Sequence, residues 1–343
     1  MKPYNHIEPT SKWYLNGNVY SPTTLKNIER KKTENGVMRE LSTFRVFKEF
    51  FPDNDTILTA IFTSRLSKTE NKACPVCGSS IEFNYRRMKD KPAFRCSKCF
   101  HKIYPMAGTP LHRTHVELST IWDTIYRLLS SKHGFAAAEF FRITNTRPET
   151  ALNTLHRIRE WARLWHNRQK FLPGESIEID EVYITVDYFR PREEKLKRGP
   201  GSQRKHPVIT MTGRSSGITK TYPTFEVSQD VLIEALEWAG VDKSHHLKTD
   251  EHKIYKILKQ IGFENHSSCN HKQKQWVTDG DTHTNTLEGL HSIAKGTTQR
   301  TYKGISRRYI EKYMDEVAFM FSNRGKTIIE SFNELLNSLP ALF

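Results

Sequence analysis

The chain has 343 residues, enough for two or three domains, and 53 Lys and Arg against 38 Asp and Glu give it a formal charge of +15. So basic a chain suits a polyanion, DNA or RNA first. A membrane surface is the competing polyanion, but no apolar run approaches the roughly 20 residues that cross a bilayer, and no membrane partner is expected.

Aromatic residues make up 11% of the chain, which excludes global disorder. The opening MKPYNHIEPTSKWYL lacks the apolar core of a signal peptide. Five cysteines, four of them paired, indicate a reducing compartment.

Residues 1–70 read as a helical region, with LSTFRVFKEFFPDNDTILTAIFTSRL at helical spacing and broken at Pro52. Residues 71–108 follow as a zinc ribbon. Cys74-x-x-Cys77 and Cys96-x-x-Cys99 each put two sulfurs on one tight turn, and two such turns close a tetrahedral site for one structural Zn2+. Disulfides or unrelated buried thiols are the competing account, and Cys269 is left over as a plain reduced thiol.

Residues 109–170 form a second helical region. VELSTIWDTIYRLLSSKHG is an amphipathic helix ended by Gly134. After FAAAEFFRI and a turn, Thr146-x-x-Glu149 with Pro148 starts another helix by hydroxyl cap, early proline and first-turn carboxylate. Helix, tight turn and basic helix resemble a helix-turn-helix, in which Arg147, Asn153, Thr154 and Arg157 would contact DNA. An ordinary helical hairpin has the same pattern.

Past the linker FLPGES, residues 171–325 read as an α/β domain and 326–343 as a C-terminal tail. IEIDEVYITV is a strand, and PREEKLKRGPGSQRKHP is a charged loop. HPVITMTG and ITKTYPTFEV are two more strands, joined at Arg-Ser-Ser-Gly. A capped helix SQDVLIEALEWAG, a short strand HHLKTD, a helix EHKIYKILKQIG and two later helices complete the domain. Strand, strand, strand, helix, strand, helix is the order of a ribonuclease-H-like fold.

Three acids in this domain can carry chemistry. Asp180 sits inside the first strand, where a carboxylate is costly unless it is solvated or binds a metal. Asp250 ends the short strand, at a carboxyl end where α/β sites open. Glu288 lies on the helix TNTLEGLHSIAKG, where Asn285 and Lys295 share its face. Hard oxygen ligands of this kind suit two Mg2+ (or Mn2+) ions about 4 Å apart, which would activate a water or a 3′-hydroxyl and stabilise the leaving oxygen of a phosphodiester. Lys295 would steady a DNA phosphate. Glu181, Asp187 and Glu251 compete as neighbours, since alternation sends only one of Asp180 and Glu181 inward. His245, His246, His266 and His271 are too irregularly spaced for a second metal site.

These blocks resemble, in order and spacing, the zinc-ribbon DDE transposases of bacterial insertion sequences, the ISXO-type group related to the Merlin superfamily. The resemblance runs from about Leu41 to Arg324, through CPVCG, FRCSKC, IEIDEVYI, LKTDEHKIYKIL and HTNTLEGLHSIAKG. TVDYFRPREEK and Gly296 depart from the glycine and basic residues of related sequences. The resemblance implies a transposase that binds terminal inverted repeats in double-stranded DNA and then cuts and joins strands. Asp180, Asp250 and Glu288 would be its metal ligands, with Lys295 beside them. Whether Glu288 or Asn285 supplies the third ligand stays open. It further implies a homodimer or larger synaptic complex, working in the bacterial cytoplasm at the nucleoid. A transposase-derived DNA-binding protein that no longer cuts, or a nuclease of the same fold, are the alternatives.

Overall fold

The computed structural model describes residues 14–15, 18–19, 43–79, 83–88, 91–186, 204–269 and 285–343. Asp187, His271 and most of the charged loop at 190–206 lie outside them, as does the side chain of Asn285. The described residues fall into two compact units. One holds those up to Ser130 together with Thr144–Trp165 and Lys326–Phe343; the other holds Ser131–Ile143 and His166–Gly325.

The first unit begins with a short antiparallel pair, β1 (Tyr14–Leu15) and β2 (Asn18–Val19). Helices α1 (Phe44–Phe50) and α2 (Asn54–Leu66) follow, capped by Thr43, which accepts from Val46 N–H, and Asp53, which accepts from Thr56 N–H. Each cap satisfies an amide that the first helical turn leaves without an acceptor. The ribbon is an antiparallel sheet of β3 (Phe83–Met88), β4 (Lys91–Cys96) and β5 (Lys102–Ile103). Helix α3 (Leu118–Ser130) comes next, and α5 (Pro148–Arg168) lies in this unit as far as Trp165. Between them, α4 (Ala137–Thr144) lies in the second unit up to Ile143.

The segment expected as a C-terminal tail is instead a helix, α10 (Ile328–Ser338), opened by a capping box between Thr327 and Glu330. Its hydrophobic stripe is as buried as any core helix. Phe332 is fully buried, with ring centroids 5.0 Å from Phe51, 5.1 Å from Trp122 and 5.3 Å from Phe47. The Trp161 indole donates to the Leu335 carbonyl at 2.7 Å. Arg65, 2% exposed, donates to the carbonyls of Pro105, Ala107, Pro340 and Ala341, so the end of the chain closes over α2. Phe332→Ala removes the ring at the centre of this cluster. We expect it to lower unfolding free energy by roughly 3–5 kcal/mol in urea titration; a loss below about 1 kcal/mol would show that α10 contributes nothing to the core.

In the second unit, a five-stranded sheet has the order β10-β9-β6-β7-β8. Its strands are β6 (Ser176–Thr185), β7 (Lys205–Gly213), β8 (Thr219–Pro223), β9 (His246–Asp250) and β10 (His266–Cys269). β7 is antiparallel to both its neighbours, while β9 is parallel to β6 and β10. The sequence of three strands, helix α6 (Gln229–Ala239), strand, helix α7 (Ile257–Gln260) is the one expected of a ribonuclease-H-like domain. β10, short and polar, has no apolar alternation to mark it and was not expected.

Alternation along β6 divides its side chains between two layers. Ile177 and Ile179 pack with Leu232, Leu236 and Leu258 on one face. Val182, Ile184 and Val186 pack on the other with residues of α8 (Asn285–Gly296) and α9 (Ile310–Ser322). Both faces of β6 are covered, so a polar side chain on either face needs a partner.

Candidate functional site

Asp180 lies on the face of β6 that carries α8, between Glu178 and Val182. The register of β6 with β9 ends at Glu178 opposite Lys248. Carried two residues further, it sets Asp180 beside Asp250 on the same face, just where the paired strands part. That is the crevice at the carboxyl ends of parallel strands in which α/β sites form. Glu288 is exposed in the first turn of α8.

The three carboxylates act on one another. Burial first, then the charge of Glu181, push the Asp180 carboxyl up to about 7; Asp250 and Glu288 add to the rise, against the Glu181 amide that donates to Oδ1 at 2.8 Å. Asp250 accepts the His252 amide at 2.9 Å. Like charges this close want a cation, and a set of hard oxygen donors suits Mg2+ or Mn2+. Among the described residues the three acids do not form a group whose oxygens all lie within 4.8 Å of one another. Ligands of one octahedral ion at about 2.1 Å lie within roughly 4.2 Å of each other.

Glu181, the neighbour that competed with Asp180, occupies the opposite layer. Its Oε2 accepts the Tyr255 hydroxyl at 2.8 Å. Burial, then Glu181 and Asp180, hold the Tyr255 pKa well above the phenol range, so the hydroxyl stays a neutral donor.

His291 was not singled out in the sequence, since nothing in NTLEGLHSIAKG distinguishes it. One turn beyond Glu288, it is 9% exposed. The Thr210 hydroxyl donates to the Asp180 carbonyl at 2.9 Å, which leaves its oxygen to accept from His291 Nε2 at 2.9 Å. Burial, then Lys295, lower the imidazole pKa to about 4. The neutral ring therefore carries its proton on Nε2 and turns a lone pair on Nδ1 toward Asp180 Oδ2, 3.8 Å away. Lys295 is exposed on the same side of α8, about 10 Å further along the axis from Glu288.

The second site lies in the ribbon of the first unit. Its two knuckles repeat one hydrogen-bond pattern. Gly78 N–H donates to Cys74 O and Phe100 N–H to Cys96 O; Cys74 N–H donates to Ser79 O and Cys96 N–H to His101 O. Gly78 and Phe100 both take left-handed backbone, at φ 64°. Glycine does so freely, whereas Phe100 bears the strain with the Arg95 guanidinium 4.2 Å over its ring. The four sulfurs lie within 4.8 Å of one another, at 3.5 Å for Cys74–Cys99 and 3.8 Å for Cys77–Cys96. Burial opposes ionisation of Cys96, but the Cys99 and Lys98 amides and the Ser79 hydroxyl outweigh it and bring the thiol to about 6. At Cys99 the His101 amide favours the thiolate; burial and the three other sulfurs outweigh it and push the pKa to about 12. The four sulfurs cannot all ionise without a cation among them, and soft thiolates in this arrangement suit Zn2+.

The helix-turn-helix reading fares unevenly. Arg147 and Asn153 are exposed near the start of α5. Thr154 is not available to DNA: it is 3% exposed, in the stripe with Ala151, Leu155 and Ile158, and its hydroxyl donates to the Thr150 carbonyl. Arg157 is committed to the chain itself, donating to the carbonyls of Pro110 at 2.9 Å and His112 at 2.6 Å. Helical spacing puts 154 in line with the apolar positions of α5. Of the histidines, His245 bonds Asp242 and His266 bonds Thr249, as structural residues do.

Residues 171–322, less than half of the chain, match the family model of the ISXO2-like transposase domain. No curated protein matches the chain. Among solved structures, the HTLV-2 integrase catalytic core domain, in complex with magnesium and in dimeric form, is similar at 14% identity and a TM-score of 0.20, covering 42% of this chain and 98% of that one. The pre-cleavage Mos1 transpososome is similar at 12% identity and a TM-score of 0.23, covering 64% and 78%. The fold stands on the strand order of the chain itself. Among the described residues, no helix is long and apolar enough to cross a membrane.

Proposed function

We propose, on the premise that residues 171–322 are an ISXO2-like transposase domain, that this protein is a DDE transposase that cuts the ends of its own element and joins them to target DNA. What supports the reading is that Asp250 and Glu288 lie close enough to Asp180 for their charges to add to the burial and the Glu181 charge that raise its carboxyl to about 7.

Asp180, Asp250 and Glu288 would hold two Mg2+ or Mn2+ ions. When bound, such ions polarise the scissile phosphate, acidify an attacking water and stabilise the leaving 3′-oxygen. Everything else is supplied by the chain. Asp180 must lose its proton to serve, and the Glu181 amide favours that ionised form. The Thr210–His291 pair holds a neutral ring against Asp180. Lys295, exposed and cationic, takes a backbone phosphate and keeps the strand along α8. No serine or tyrosine nucleophile is required, because water and then the freed 3′-hydroxyl attack in turn.

The ribbon, closed by one Zn2+, and the exposed residues Arg147 and Asn153 at the start of α5 would grip the terminal inverted repeats. Their affinity should fall steeply with salt. Paired ends call for a dimer or larger assembly, acting on bacterial DNA in the cytoplasm, at the nucleoid.

The test is a nicking and strand-transfer assay on end-containing double-stranded DNA with and without Mg2+. Cutting and joining that require Mg2+ support the reading. Binding without cutting at any Mg2+ concentration replaces it with a DNA-binding derivative; cutting without joining replaces it with a nuclease.

A further inference from the structure

Two residues before Asp180, β6 carries a carboxylate with no part in the chemistry above. Glu178 is 0% exposed, on the same face of the strand as Asp180. Its Oε1 accepts Arg214 Nε at 2.9 Å and the Thr286 hydroxyl at 3.0 Å; its Oε2 accepts the Leu287 amide at 3.4 Å. Thr286 and Leu287 belong to the first turn of α8, immediately before Glu288. Amides of that turn have no acceptor within the helix, and the helix N-terminus favours an anion. A strand carboxylate therefore supplies the cap that α8 takes from outside its own segment.

A fully buried carboxylate is costly, and an apolar side chain would fill the position at less expense. Two of these groups, the Thr286 hydroxyl and the Leu287 amide, stand on the helix that presents the third acid. We infer that Glu178 is a positioning residue: it ties the strand bearing Asp180 to the first turn bearing Glu288 and so fixes the separation of the two metal-binding carboxylates. The inference rests on the proposal that these acids hold divalent cations. Outer residues that orient ligands in this way typically matter 10–100-fold in metal affinity.

The measurement is Mn2+ binding to the full-length protein, followed by electron paramagnetic resonance, with near-ultraviolet circular dichroism to report the fold. A cavity of about 190 Å3 beside Glu178, lined also by Thr212 and Arg324, gives Glu178→Gln room to settle. Glu178→Gln should weaken Mn2+ about 10–100-fold with an unchanged dichroism spectrum. Thr286→Val, which keeps the Glu178–Arg214 pair, should weaken it several-fold, and Thr286→Ser should restore it. The loss of affinity at constant dichroism is what a merely stabilising role would not produce, and the restoration ties that loss to the hydroxyl. If Glu178→Gln fails to fold, the Thr286 pair decides: Mn2+ affinity unchanged in Thr286→Val overturns the inference. Asp180→Asn serves as the reference. Loss of Mn2+ in Asp180→Asn with wild-type affinity in folded Glu178→Gln sinks the positioning role alone. Equal affinity in wild type and Asp180→Asn removes the metal reading and the positioning role together.

Discussion

Asp180→Asn and Asp250→Asn should each reduce strand cleavage by about a thousandfold or more while leaving DNA affinity within about twofold. An amide keeps the shape and loses the charge, so the several kcal/mol that a metal clamp contributes disappear, at about 1.4 kcal/mol per tenfold. Single-turnover cleavage of labelled end DNA, with binding measured on the same substrate, separates the two effects. Cleavage retained by either variant would mean that the reacting phosphate lies elsewhere.

The same residue has a signature in stability. The Asp180 carboxyl is raised to about 7 in the folded protein, against about 3.9 in an unfolded chain. The folded state therefore binds the extra proton, and the contribution is fully present below about pH 4 and lost as pH rises through 7. In metal-free buffer Asp180→Asn should match wild type near pH 4 and exceed it at pH 8, by on the order of 2–4 kcal/mol. Mg2+ should close the gap by stabilising only the wild type. Thermal melts at the two pH values read this directly, and parallel melts at both would show that Asp180 is not strained by its neighbours.

The second large effect concerns the ribbon. Purified reduced protein should carry one zinc per chain by mass spectrometry, and Cys96→Ser should lose it. Structural zinc contributes roughly 10–16 kcal/mol in small zinc modules, far beyond what a three-stranded sheet of this size retains by packing alone. The variant should expose residues 71–108 to protease and weaken end binding by at least about tenfold, the scale on which lost metal-site integrity is felt. A metal-free wild type with a protease-resistant ribbon would remove zinc from the account.

Much of this protein is legible without coordinates wherever the physics is short-range. A CxxC knuckle closes within six residues by its own backbone bonds, so the cysteine spacing alone announces the ribbon. Alternation in IEIDEVYITV marks β6, and the order of strands and helices marks the fold, because each element carries its own period. The acids at strand and helix ends are visible for the same reason. What the period of an element does not contain is the identity of the partner that covers it. Glu181 looks like a rival of Asp180 until both faces of β6 are seen to be covered and Tyr255 is found opposite. Thr154 and Arg157 read as DNA contacts until α5 is packed. The final helix reads as a tail because the rings it meets, Phe47, Phe51 and Trp122, lie more than 200 residues earlier. Glu178 and His291 are ordinary letters in the chain; only the closure of α8 over β6, with Thr286 108 residues away from Glu178, decided that one caps the helix and the other faces Asp180.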